Sequence, residues 1–181
     1  YSFKGIPYAK AARFMPPEQP DIWDTVRIFN TYGEICPQAP IPQGNDFIAM
    51  REHPAEGEDC LNLNVWTPGI NDGKKRPVMV WLHGGGFQTG SAIEQLVYDG
   101  ANLSRKGDVV VVSVNHRLNM LGFLDLSAYS EKYKYSGNVG TMDMVAALQW
   151  IQKNIAVFGG DPNNVTLFGQ SGGGAKVLVL M

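Results

Sequence analysis

The stretch that decides the fold is VTLFGQSGGGAKVLVLM, residues 165–181. VTLFG has the composition of a buried strand, and GGGAKVLVLM is typical of the start of an apolar helix. Between them, small residues surround one serine, Ser171, in the pattern Gly-x-Ser-x-Gly. Strand, tight turn and helix in this order predict a strained turn that raises the hydroxyl above a sheet, near a helix N-terminus. In a chain with 21 glycines the pattern alone could arise by chance, but its flanking elements favour a catalytic serine.

The rest of the chain predicts an α/β fold with a central, mostly parallel sheet and flanking helices. LNLNVWT, residues 61–67, alternates like a half-buried strand. PVMVWLH and DVVVVSV, residues 77–83 and 108–114, read as strands covered on both faces. Residues 98–107 predict a short helix that ends at Gly107. Residues 141–160 predict a longer helix with apolar side chains at helical spacing and a stop at Gly159 and Gly160, followed by a turn at DPNN.

The whole chain, residues 1–181, is predicted to be one partial domain. Ten of its eleven prolines lie in the first 77 residues, so we expect residues 1–60 to be rich in loops. Residues 61–181 are expected to form the sheet core, with the glycine loop and the serine turn.

A second glycine motif, LHGGGFQTG at residues 82–90, follows another predicted strand. Three consecutive glycines let backbone N–H groups approach a substrate carbonyl closely, as an oxyanion hole requires. A flexible loop or a phosphate cradle is the alternative, but the Gly-Lys-Ser/Thr of a P-loop is absent. A HGGG-type turn upstream of Gly-x-Ser-x-Gly is the arrangement of lipases and esterases.

Composition excludes several classes of protein. The chain is 44% hydrophobic and 18% charged, with a net charge of −2, which leaves no basic footprint for nucleic acid. Its apolar runs are far too short to span a bilayer. The two cysteines, Cys36 and Cys60, lack the spacing and the paired histidines of a zinc site. They are either unrelated buried thiols or one disulfide, and a disulfide would indicate a secreted or otherwise oxidising compartment.

These motifs together resemble the type-B carboxylesterase/cholinesterase family of α/β-hydrolases along nearly the whole chain. The residues that carry the resemblance are FKGIPYA (3–9), RF (13–14), EDCLNLNVWTP (58–68), GGGFQTGS (84–91), VSVNHRLNMLGFL (112–124), GNVGTMDMVAALQWIQKNIAVFGGDPNNVT (137–166) and GQSGGG (169–174). The resemblance implies that Ser171 is the nucleophile and that Gly85, Gly86 and Gly172 donate the oxyanion-hole N–H groups. It further implies a Cys36–Cys60 disulfide.

The resemblance also implies two structural ion pairs, Arg13–Glu58 and Arg117–Asp143. No cofactor or metal is expected.

Departures from the family pattern narrow the range of substrates that we expect. The family usually has glutamate before the nucleophile and alanine after it, whereas this chain has Gln170 and Gly172. Met50 stands where cholinesterases have a tryptophan that stacks on choline, and methionine has no π-face for a cation. We therefore expect neutral carboxylic esters rather than choline esters as substrates.

The catalytic triad is incomplete in this chain. α/β-Hydrolases follow the order serine, acid, histidine, but His53, His83 and His116 all precede Ser171 and no acid follows it. We expect the chain to be an internal piece, incomplete at both ends, of a roughly threefold longer serine carboxylesterase, and inactive alone. The missing acid and histidine would come from the C-terminal portion of the same enzyme or from a second chain. The alternatives are a catalytically silent cholinesterase-like binding or adhesion domain and an unrelated α/β binding domain.

Overall fold

A computed structural model describes residues 1–39 and 55–181. The strands are β1 (Ser2–Pro7), β2 (Asn62–Trp66), β3 (Arg76–Leu82), β4 (Val110–Val114) and β5 (Gly160–Gly169). The helices are α1 (Ala101–Gly107), α2 (Asn119–Phe123), α3 (Val139–Asn154) and α4 (Gly172–Val179), with short 3-10 turns between them. Strands and helices alternate from β3 onward, which confirms the predicted α/β class.

The five strands form one mixed sheet in the order β1-β2-β4-β3-β5. β3 lies parallel to β4 and to β5, whereas β2 pairs antiparallel with β1 and with β4. The predicted parallel arrangement therefore holds for β3, β4 and β5, two of which lead into the glycine motifs, while β1 and β2 at the other edge pair antiparallel. One strand, β1, also comes from the segment predicted to be loop-rich.

Burial differs from the sequence pattern in two strands. β2 is buried along its whole length rather than on one face. Its polar residues satisfy their amides internally: Asn64 accepts from Gly5 N at 2.9 Å and donates to Ser113 Oγ at 3.1 Å. β3 buries Val78, Val80 and Leu82, while its other face is only partly covered by the described residues. The polar residues of an alternating pattern can therefore be buried, because hydrogen bonds within the protein take the place of hydrogen bonds to water.

The core lies where β2, β3 and β4 meet α3. Met144, Ile151 and Ile155 are buried with the inner residues of the strands, and Leu148 packs against them, as their helical spacing predicts. The helix continues into a 3-10 turn that ends at Gly159, whose φ is +79°. A left-handed residue at this position is the usual device for ending a helix, so the predicted stop is confirmed.

Helix α1 ends at Gly107 as predicted, although the left-handed residue that caps it is Asp108, with φ +48°, rather than the glycine. One local prediction needs correction. The DPNN segment belongs to β5 as a bulge, because Gly160 pairs with Arg76 while Val165 already pairs with Val78. The extra residues of the bulge do not pair with β3, and regular pairing resumes at Val165 before the strand reaches Ser171.

Candidate active site

Ser171 lies between the end of β5 and the first residue of α4. Its backbone has φ +55° and ψ −122°, a combination that costs free energy for any residue other than glycine. The serine is exposed, and its side chain forms no capping hydrogen bond with its own helix. The junction therefore has the strained geometry that the sequence predicts for a serine raised above a sheet.

The glycine loop leaves the carboxyl end of β3, the strand next to β5. Gly85 and Gly86 have φ of +78° and +64°, in the left-handed region that glycine enters at little cost. A side chain on Gly85 would also collide with the backbone, since a Cβ there would lie 2.2 Å from Thr89 O. Gly85 O accepts from Thr89 N at 3.1 Å, which folds the loop back on itself.

The structure brings the serine turn and the glycine loop into direct contact. A Cβ on Gly172 would lie 2.4 Å from both the N and the Cα of Gly86, and one on Gly84 would lie 3.6 Å from the Cβ of Ser171. Among residues 1–39 and 55–181, the N–H groups of Gly85, Gly86 and Gly172 donate to no acceptor. Free N–H groups beside a strained serine are what an incoming carbonyl oxygen requires.

Lys176 is a site residue that the sequence analysis did not identify. It lies on α4, one turn and a half after Ser171, and is fully buried. Its Nζ donates to His83 O at 2.9 Å and to Gly84 O at 3.5 Å. Burial lowers the pKa of Lys176 to about 8, while the charge of Glu94 opposes the shift. The signal in the sequence was a single charge inside an otherwise apolar helix.

Neither described histidine is suited to act as the base. His83 and His116 are stacked with their ring centroids 5.2 Å apart, and each turns Nδ1 toward a backbone carbonyl. Burial, followed by the charge of Lys176, lowers the pKa of His116 to about 3 and that of His83 well below its usual value. A general base works best with a pKa near the working pH. His53 lies outside the described residues.

Cys36 and Cys60 both lie in the buried core. The predicted disulfide is not formed in the structure, where both cysteines are free thiols. The two side chains nevertheless interact: their hydrogen bond lowers the pKa of the Cys36 thiol and raises that of Cys60. Leu118 N also donates to Cys36 Sγ at 3.2 Å. The disulfide therefore stays a prediction, and with it the inferred compartment.

Both ion pairs implied by the resemblance are present, in different environments. Arg117 Nη2 lies 2.7 Å from Asp143 Oδ1 with both side chains buried, whereas the Arg13–Glu58 pair is largely exposed. Arg117 Nη1 also donates to Met15 O at 2.8 Å. Each pair joins segments that are distant in sequence, and the structural role expected for both stays a prediction. Met50, the basis for excluding choline esters, lies outside the described residues.

Two negative findings apply to residues 1–39 and 55–181 alone. This part of the chain holds no group of three or more histidine, cysteine, aspartate or glutamate side chains placed to bind a metal ion. None of its helices combines the length and the apolar character that crossing a membrane requires.

Comparison with solved structures identifies the fold. The chain is 55% identical, with a TM-score of 0.94, to an esterase from Clostridium hathewayi described as hydrolysing aliphatic aromatic polyesters; 98% of this chain and 36% of that chain are covered. A carboxylesterase from Geobacillus stearothermophilus is 48% identical with a TM-score of 0.87, covering 99% of this chain and 36% of that one. These likenesses confirm the predicted α/β-hydrolase fold.

Sequence comparison identifies the family. The chain is 46% identical over 185 residues to the para-nitrobenzyl esterase of Bacillus subtilis (strain 168), and the match covers 100% of this chain and 36% of that protein. The chain thus spans little more than a third of that relative's length. The model of the carboxylesterase family matches residues 1–181. This chain belongs to the carboxylesterase family.

Proposed function

We propose that this chain carries the nucleophile and the oxyanion hole of a serine carboxylesterase. The observation that carries the proposal is the contact between the strained turn at Ser171 and the glycine loop, where the N–H groups of Gly85, Gly86 and Gly172 meet no acceptor among residues 1–39 and 55–181. Nucleophile and oxyanion donors must surround one reacting carbonyl. Membership of the carboxylesterase family supports the same reaction class.

The proposed reaction is hydrolysis through an acyl-enzyme. Ser171 Oγ attacks the ester carbonyl carbon and gives its proton to a base, while the carbonyl oxygen becomes an oxyanion that accepts from the three glycine N–H groups. Each such donor typically lowers the barrier by about 3–4 kcal/mol. Collapse of the intermediate breaks the bond to the alcohol, which leaves with the proton held by the base. Water then repeats the two steps and releases the carboxylic acid, so no cofactor is needed.

The base and its acid partner are proposed to lie outside residues 1–181, in the C-terminal portion of the same enzyme or in a second chain. No histidine follows Ser171 in the sequence. His83 and His116 are buried, and their lowered pKa values make them weak bases at neutral pH. A triad that lacks its base retains only the small acceleration due to the oxyanion hole and substrate binding.

The proposed substrates are neutral carboxylic esters. Gln170, the neighbour of the nucleophile, is uncharged and its Oε1 lies against Gly84, so no carboxylate there attracts a cation. The relatives named above for para-nitrobenzyl esters and aliphatic aromatic polyesters also suggest uncharged esters with aromatic groups. Phe87, within the glycine loop, packs edge to face against Phe123 of α2 with ring centroids 5.3 Å apart, and this aromatic pair is the proposed contact for such groups.

The test uses the complete enzyme that carries this chain, with p-nitrophenyl and p-nitrobenzyl esters as substrates. A fluorophosphonate probe should label Ser171, and Ser171→Ala should abolish both labelling and turnover. Labelling that persists in Ser171→Ala, or turnover that the substitution leaves intact, would contradict the assignment. A complete protein that binds esters without hydrolysing them would instead support the silent binding domain.

A further inference from the structure

Lys176 is a charged residue at a buried position that an apolar side chain would fill equally well. Its side chain is fully buried beneath the glycine loop, on a helix that is otherwise apolar apart from its glycines. Nζ lies 5.9 Å from the centre of the Phe87 ring and donates to two loop carbonyls. With a pKa of about 8, the amine is mostly an ammonium ion at neutral pH. Burying a charge is costly unless it is hydrogen-bonded, so the arrangement points to a role in the loop.

The geometry of the peptide bond connects this lysine to the oxyanion hole. A trans peptide is planar, so its C=O and N–H groups point in opposite directions. The carbonyl of Gly84 shares a peptide with the N–H of Gly85, and the carbonyl of His83 shares one with the N–H of Gly84. Lys176 contacts both carbonyls, at 3.5 and 2.9 Å. Holding the carbonyls on the buried side directs the N–H groups toward the opposite side of the loop.

Lys176 Nζ is one of two groups that hold the Gly84–Gly85 peptide through Gly84 O, at 3.5 Å. Gly85 has φ +78°, and a glycine can adopt positive and negative values of φ at similar cost, so this peptide could turn over. The second group at Gly84 O is His83 Nδ1, at 2.9 Å, and a carbonyl can accept from two donors. A flipped peptide would present a carbonyl oxygen, which repels an oxyanion, in place of an N–H donor.

We propose that Lys176 is a positioning residue that locks the Gly84–Gly85 peptide with the Gly85 N–H group directed at the ester oxygen. This inference rests on the proposed function, because it assigns an orientation to an oxyanion donor. Lys176 itself contacts no reacting atom: its ammonium acts through two carbonyls of the loop.

The test compares Lys176→Met and Lys176→Gln in the complete enzyme with p-nitrophenyl esters. Methionine fills the site without a donor, whereas glutamine retains an amide donor. Loss of one oxyanion donor lowers kcat by about 100- to 1,000-fold, and we expect about 100-fold for Lys176→Met with little change in KM. Lys176→Gln should be more active than Lys176→Met although methionine is the better apolar filling and should give the more stable protein. A purely structural lysine would give the same order for activity and stability.

Lys153→Met is the matched control, since it removes one charge from an exposed position of α3 and should leave turnover unchanged. Affinity for a trifluoromethyl ketone, which forms an oxyanion on Ser171, should fall in Lys176→Met in proportion to kcat/KM. Wild-type activity that depends on Ser171, together with a Lys176→Met variant within about threefold of wild-type kcat, would overturn this inference and leave the proposed function intact. An inactive wild-type enzyme would overturn both. Failure of both Lys176 variants to fold would assign the lysine to stability alone and overturn the proposal.

Discussion

The family usually has alanine after the nucleophile, but the close contact between Gly172 and Gly86 leaves no room for a methyl group in this chain, so adding one should disrupt the oxyanion hole. The Cβ of Gly172→Ala would lie 2.4 Å from the Cα and N of Gly86 and 2.7 Å from Gly86 O. These are backbone atoms, so no side chain can rotate away. Restoring ordinary contact of 3.4 Å or more requires the turn and the loop to separate by about 1 Å. Overpacking of this kind costs about 1–3 kcal/mol of stability, and a displacement of about 1 Å can cost about 100-fold in rate.

We therefore expect Gly172→Ala to lower kcat by about 100-fold, with KM changed much less and with a cooperative fold retained. Steady-state hydrolysis of a p-nitrophenyl ester measures the rate, and thermal unfolding followed by circular dichroism measures the fold. Gly174→Ala is the matched control, because its Cβ would meet only Gly169 O, at 3.8 Å. Alanine in a helix is favoured over glycine, so this variant should be as active and as stable as wild type. Equal turnover in the two variants would refute the close contact between turn and loop.

Three further predictions concern the loop, the buried ion pair and the cysteines. Gly86→Val should lower turnover by orders of magnitude in a folded protein. The valine side chain would enter the open space of the proposed site, and a φ of +64° strains a β-branched residue. Near-normal turnover would place the oxyanion hole elsewhere. Asp143→Ala should destabilise the fold by about 3–5 kcal/mol by leaving Arg117 buried without its partner, and an unchanged denaturant midpoint would contradict the pair's role. Peptide mapping without reduction should find Cys36 joined to Cys60 in protein from an oxidising compartment, whereas two freely alkylated thiols would exclude the bond.

The parts of the fold that could be predicted are those that depend on neighbouring residues in the sequence alone. Val110–Val114 is apolar apart from Ser113 and forms a buried strand. The glycine motifs were found because tight turns and close backbone contacts tolerate few other residues. The site was predictable for the same reason: Ser171 and the glycines each follow a parallel strand, and β3 and β5 are neighbours.

The features that were missed depend on partners distant in sequence. Alternation in Asn62–Trp66 cannot show that Asn64 is buried, because its hydrogen bonds reach Gly5 and Ser113. The role of Lys176 was equally hidden, since the carbonyls it binds lie 92 and 93 residues earlier. A lone charge in an apolar helix start signals burial with a partner, but does not identify that partner.

The measurement that tests the central claim most directly is the mass of the complete enzyme during turnover of a slowly deacylated ester. Rapid acid quenching followed by mass spectrometry should reveal one acyl group per chain, and peptide mapping should locate it on Ser171. Gly172→Ala should accumulate the same adduct more slowly, because acylation also passes through the oxyanion. An acyl group on any other residue, or steady hydrolysis without a covalent adduct under conditions in which deacylation is rate-limiting, would contradict the account.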